Sequence, residues 1–154
     1  MKKKIVVLGF LGTNLDLGGK ARWGRWRPTI SLGQQDDLLV DRFELFYEKN
    51  FLDLAQLVQK DFQQVSPETE FNLREVVLKD PWDFQTVYSG IFDNLKDYKF
   101  DTDNEEYLVH ITTGTHVIQI CLFLLTESRH IPGKLLQTHM QKSRNPNGTY
   151  TIID

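Results

Sequence analysis

The stretch YLVHITTGTHVIQICLFLL, residues 107–125, sets a strand-like run, four small polar residues and a nearly all-apolar block in direct succession. A chain that buries both flanks of so short a link has few architectures open to it. Residues 107–111 suit a strand, residues 117–125 suit an element covered on most sides, and Gly114 between them permits a tight turn. The alternation recurs along the chain. KIVVLGF (4–10) is an apolar run closed by glycine, as in a buried parallel strand. LLVDRFELFY (38–47) reads as a second strand, with some helical character. Leu54, Ala55, Leu57, Val58, Phe62 and Val65 share one helical face, with Asn50 as its cap and Ser66-Pro67 as its stop. Phe71, Leu73 and residues 76–78 give a third strand. DPWD then offers Asp80 as helix cap, Pro81 at the first helical position and Asp83 in the first turn. Phe84, Val87, Tyr88, Ile91, Phe92 and Leu95 follow at spacings of three and four. Beyond the strand at 106–111 and a helix at about 115–129, KLLQTH (134–139) is a fifth strand. NPNG (145–148) turns into a sixth, TYTIID. Strands alternating with amphipathic helices predict an α/β fold: a Rossmann-like, mostly parallel sheet with helices on both faces.

The 154 residues are expected to form one domain, 1–154, of ordinary globular composition, 40% hydrophobic and 25% charged. No run reaches the roughly 20 apolar residues of a membrane span. The basic, then apolar N-terminus is read as a first strand rather than a signal peptide, because glycines and charges end the run early. Cys121 stands alone in the most apolar block, which leaves no disulfide framework or metal cluster and suits a reducing cytoplasm. The net charge of −3 is uneven: +6 over residues 1–35 and −9 over the rest. Bulk attraction to nucleic acid is excluded, but a local basic site is not. The chain stops within a strand-like run, so more protein is expected to follow.

In a parallel sheet, ligands bind beyond the C-terminal strand ends. Three loops leave such ends: residues 9–14, residues 80–83 and residues 112–116. In the last, Gly114 lets the backbone approach a ligand, Thr112, Thr113 and Thr115 add hydroxyls, and His116 heads a helix whose free amides favour an anion. The alternative is a plain turn, with Thr113 or Thr115 only capping the helix. Gly9, Phe10, Leu11, Gly12, Thr13 and Asn14 form a possible second backbone nest beside it. This stretch lacks the third glycine of a dinucleotide fingerprint. NLDLGGKA (14–21) fails as a phosphate loop, at Asn14 and at Ala21.

KARWGRWRP (20–28) places Lys20, Arg22, Arg25 and Arg27 around Trp23 and Trp26, with no acid between residues 17 and 35. Arginine pairs with phosphate and indole stacks on unpaired bases, so the segment suits single-stranded nucleic acid. Alternatively the tryptophans form a lid on the core and the arginines are solvated. Trp82 either stacks on a base or packs at a helix start. For catalysis the chain offers little. His116 can act as a neutral donor, His110 is expected to be a satisfied core residue, and His130 and His139 lack partners at ligand spacing. No nucleophile–base arrangement or metal-ligand spacing is readable.

VVLGFLGTNLD, RWGRWRPTISL, QQDDLLVDRFELFY, SPETE, DPWDFQTVY and YLVHITTGTHVIQICLFLLTES together resemble the N-terminal sensor domain of the RtcR family, from residue 4 to about 138. These are sigma-54-dependent activators of a bacterial RNA-repair operon. The resemblance implies a CARF domain, a Rossmann-like fold that dimerises and senses nucleotides or RNA ends. It implies ligand loops at residues 9–14 and 112–116, and an RNA ligand ending in a 2′,3′-cyclic phosphate, such as a tRNA fragment. It also moves Arg22, Trp23, Arg25, Trp26, Arg27 and Trp82 towards RNA contacts. The family's AAA+ ATPase, with its ATP and magnesium, and its DNA-binding helix-turn-helix have no counterpart in this sequence. The chain is therefore expected to be a non-enzymatic sensor without a cofactor or metal of its own, acting in the full-length protein on sigma-54 polymerase and promoter DNA. The rival expectation is a cyclic-oligoadenylate-binding domain that cleaves its ligand.

Overall fold

The computed structural model describes residues 2–140 and 147–153. The first two residues of the NPNG turn and the last of the TYTIID run lie outside the described residues. The elements are β1 (Lys4–Phe10), α1 (Pro28–Gly33), β2 (Arg42–Glu48), α2 (Leu52–Val65), β3 (Glu70–Val76), α3 (Phe84–Leu95), β4 (Glu105–His110), α4 (His116–Glu127), β5 (Gly133–His139) and β6 (Thr149–Ile153). One sheet runs in the order β3-β2-β1-β4-β5-β6. Its first five strands are parallel and β6 is antiparallel to β5. The expected fold class is the observed one.

Successive side chains on a strand face opposite ways, and β1 shows why both faces must be covered. Val6, Leu8 and Phe10 pack with Ile91 of α3 and with Cys121 and Leu125 of α4. Val7 packs on the other face with Ile30 of α1 and with Ala55, Val58 and Phe62 of α2. There Phe43, Phe62 and Phe71 form a ring cluster, with centroids 4.9–5.3 Å apart. Such close aromatic packing fixes α2 against β2 and β3.

Several boundaries differ from expectation. Asn50 does not cap α2; it lies in a 3-10 turn, Lys49–Phe51, that leads into the helix. Asp80 does not cap α3. Its carboxylate accepts the Trp82 N–H at 3.0 Å and its carbonyl the Asp83 N–H at 3.1 Å, closing a separate turn. Asp83 is the cap, accepting the Thr86 N–H at 2.9 Å and hydroxyl at 2.7 Å. Strand β3 ends at Val76, and Val77 beyond it is 75% exposed. Helix α1, six residues opened by Pro28, falls inside the segment that showed no period.

Candidate functional site

Strand β1 lies between β2 and β4, so the chain leaves β1 for one side of the sheet and β4 for the other. Ligand clefts open at such a switch point, beyond the C-terminal strand ends. The loops after β1 and β4 meet here. The buried Thr113 hydroxyl donates to the Phe10 carbonyl at 2.5 Å, tying one loop to the other. Thr112 Oγ1 accepts the Thr138 N–H at 2.9 Å, which fastens the loop to β5. Thr115 caps α4, accepting the Ile118 N–H at 3.1 Å while donating to the Pro81 carbonyl at 2.8 Å. All three hydroxyls therefore serve the scaffold first, although Thr112 keeps its own proton to donate. The first-turn amides of His116 and Val117, at the positive end of α4, make no backbone hydrogen bond to another element among the described residues. Gly114, at φ 92°, makes the tight turn into the helix possible; a Cβ there would stand 2.9 Å from Ile118 Cγ2. His116 is exposed at the head of the helix.

The β1 loop is held from below. Asp16, fully buried, accepts the Gly12 N–H at 2.9 Å, the Thr29 N–H at 3.0 Å and the Thr29 hydroxyl at 2.6 Å. Burial pushes its carboxyl above the ordinary range, and these hydrogen bonds oppose the push. The Gly12 amide is thus committed to Asp16. Gly9, Phe10 and Leu11 are buried, Thr13 is half-buried and Asn14 is exposed at the rim. Beneath the loops, the His110 imidazole shares a 2.9 Å hydrogen bond with Thr138 Oγ1 through Nε2, while Nδ1 is buried without a partner among the described residues. Burial takes its pKa down to about 3, so it stays neutral; it is a core residue satisfied on one side only.

Between the loops lies a cleft of about 200 Å³. Phe10, Leu11, Thr13, Gly114 and Thr115 line it, as does Trp82, which is 64% exposed and does not pack at the start of α3. Tyr47 and Glu48 at the end of β2, Phe51 just beyond it, Pro81 and Ile118 complete it. Sequence reasoning missed the β2 contribution, although the end of β2 is a C-terminal strand edge like the others. Burial pushes the Glu48 carboxyl up. A larger hollow of about 600 Å³ opens at the opposite end, where the strands begin, and mixes Lys3, Arg129, Glu105 and Glu127. Parallel sheets do not bind ligands at that end, so the smaller cleft is the candidate.

The basic segment folds back onto α2. Arg22 Nε and Arg27 Nη1 reach Asp61 Oδ2 at 2.7 and 2.8 Å. The Arg27 side chain is 1% exposed and lies 4.8 Å from the ring centroid of Trp23. Arg25 is exposed and donates to the carbonyls of Leu17 and Gly18. Trp26 is half-buried, its indole N–H without a partner among the described residues, while Trp23 keeps an exposed face. The arrangement is neither a free cationic surface nor a lid with solvated arginines. It is a strap whose two outer arginines share one buried carboxylate. The strap borders a separate hollow of about 360 Å³ with Met140, and no residue lines both this and the cleft. Asp61 was a readable signal, since it sits on the apolar face of α2 and a carboxylate there demands a cation.

The family model described as "Regulator of RNA terminal phosphate cyclase", RtcR, matches residues 3–154. The chain is 45% identical over 157 residues to the transcriptional regulatory protein RtcR of Escherichia coli K12, covering 99% of this chain and 30% of that protein. Among solved structures, Enterococcus italicus Csm6 bound to cyclic hexa-2′-fluoro-hexa-dAMP superposes with a TM-score of 0.66 at 15% identity, over 97% of this chain and 36% of that one. Can2 of Sulfobacillus thermosulfidooxidans, in complex with cyclic tetra-adenylate, gives 0.60 at 17%, over 97% and 37%. These likenesses establish the fold, which is of the CARF type. The chain belongs to the RtcR family, the regulators of RNA terminal phosphate cyclase.

Proposed function

We propose that this chain is the sensor region of a sigma-54-dependent transcriptional regulator and binds RNA ending in a 2′,3′-cyclic phosphate at the cleft between the β1 and β4 loops. The observation that carries the reading is the Gly114 turn, which presents the His116 and Val117 amides at the start of α4. A cyclic phosphate carries one negative charge and only acceptor oxygens, so amides at a helix start suit it. Trp82 offers an exposed face on which a neighbouring base stacks. The strap contributes Arg25 and the face of Trp23 to RNA further from the end. Arg22 and Arg27 act through Asp61 by holding the strap in place.

In this proposal the chain itself catalyses nothing and needs no cofactor. It works as a homodimer, and ligand binding relieves inhibition of an ATPase region elsewhere in the regulator, which then acts on sigma-54 polymerase. The ligand switches the protein only by favouring the active arrangement over the resting one. The test is binding of a short RNA with a cyclic phosphate end, beside the same RNA with a 3′-hydroxyl and beside cyclic tetra-adenylate. Preference for the cyclic phosphate end is expected. The Csm6 and Can2 structures hold cyclic adenylate ligands and favour a second reading, in which this cleft binds such a ring and His116 assists its cleavage. Preference for cyclic tetra-adenylate, with products that vanish in His116→Ala, would replace the first reading with the second.

A further inference from the structure

The cleft is polarised. Gly114 and Thr115, at the positive start of α4, line it beyond β4; Glu48, the last residue of β2, lines it from the other side of β1. Among the described residues no hydrogen bond or ion pair reaches that carboxylate, and it makes no cap to the turn that follows it. A half-buried carboxylate facing a cleft without a partner is costly unless a ligand supplies donors. It also repels phosphate, so the phosphate belongs at the α4 end and something rich in N–H groups at the other. A volume of about 200 Å³ is below that of drug-sized sites and accommodates one nucleobase. The exposed Trp82 borders the same space and supplies a stacking face.

An ionised carboxylate only accepts hydrogen bonds. Among the four RNA bases, only guanine places two donors side by side on its pairing edge, N1–H and N2–H, matching both carboxylate oxygens. Adenine and cytosine set an acceptor beside their amino group, and uracil flanks its single N–H with carbonyls. We infer that Glu48 reads a guanine, making this cleft selective for RNA whose cyclic-phosphate nucleotide is guanosine. The inference rests on the proposed RNA-end binding and names the ligand of that same site. The raised affinity of the Glu48 carboxyl for protons agrees with a group waiting for donors.

The test titrates four RNAs of equal length, identical except for a terminal G, A, C or U, each with a 2′,3′-cyclic phosphate, and a fifth ending in G with a 3′-hydroxyl. The guanosine end is expected to bind roughly tenfold or more tightly than the other three. Glu48→Gln, which exchanges one acceptor for a donor, should erase that preference, with the G-ended RNA losing affinity relative to the other three ends. Equal affinity for all four ends overturns the guanine assignment and leaves the RNA-end reading standing, provided the 3′-hydroxyl RNA binds worse. A Glu48→Gln protein that binds every RNA more tightly by the same factor also overturns it, because Glu48 then only repels phosphate. If the natural protein binds none of the five, both readings fall together.

Discussion

Removing Asp61 should cost this protein far more than removing an ordinary surface acid. Asp61 is 1% exposed and holds Arg27 at 2.8 Å, itself buried to 1% in its side chain. Deleting one member of such a pair leaves an uncompensated charge in the interior, at about 3–5 kcal/mol. Arg27 then retains the face of Trp23 and the more distant charge of Asp16, with no direct ion pair, since its Nη2 already lacks a partner among the described residues. Asp61→Leu is therefore expected to lose about 3–5 kcal/mol in urea titrations followed by far-ultraviolet circular dichroism, which reports on the whole sheet rather than the strap. Arg27→Met should cost less, because Asp61 keeps Arg22 at 2.7 Å. The double variant, with neither member of this pair left unpaired, should be more stable than Asp61→Leu alone. A second readout bears on function: a strap released from α2 frees two arginines, so Asp61→Leu should bind RNA with a steeper salt dependence. A cost under about 1 kcal/mol, or a double variant that simply adds the two single costs, would refute the claim that these charges are buried against one another.

Gly114→Val forces a side chain into the left-handed region and against Ile118, so it should cost roughly 1–3 kcal/mol and abolish cyclic-phosphate binding while the circular dichroism spectrum stays native. Unfolding along with lost binding would make the turn purely structural. Thr113→Val keeps the shape but leaves the Phe10 carbonyl unpaired, and a loss of about 1–3 kcal/mol in the same urea titration is expected. His110 has a native pKa of about 3 against an ordinary 6.5, so between those values the unfolded chain holds the extra proton. Stability thus rises with pH across that window and is lost on acidification through it, by about 2 kcal/mol from pH 7 to pH 5. Asp16, whose carboxyl is raised, works in the opposite sense, its stabilisation being lost as pH rises. It is present in both proteins, so the difference in slope between the natural chain and His110→Asn isolates the histidine; equal slopes would refute the assignment.

Much of the fold was readable because its signals are local. The apolar run closed by Gly9 and the three-and-four spacing of Val87, Ile91 and Leu95 each fix an element within a few residues. Helix α1 was not readable, since six residues are too short to show a period. In DPWD the sequence favoured Asp80 as the cap of α3, with Asp83 in the first turn, whereas Asp83 is the cap. Pro81 suits the first turn of a helix and also the tight turn that the chain makes, so residue types alone favoured the wrong one.

The site divides along the same line. Its backbone part was legible, because glycine among small polar residues at a strand end already implies close approach. The duties of its side chains were not, since the partners lie far away in sequence: Phe10 for Thr113, Pro81 for Thr115 and Thr138 for Thr112. The basic segment shows the cost of counting charges without their partners. Its four cations look like a surplus until Asp61 is followed along α2 to the apolar stripe of Val58, Phe62 and Val65. A carboxylate on that stripe enters the interior when the helix packs, and it must draw a cation in with it. Arg22 and Arg27 meet that demand, so under the proposed function the cations of the strap that Asp61 leaves for RNA are Lys20 and Arg25, both exposed. Any phosphate contact made by this segment should therefore disappear with those two residues, and not with the pair that Asp61 already holds.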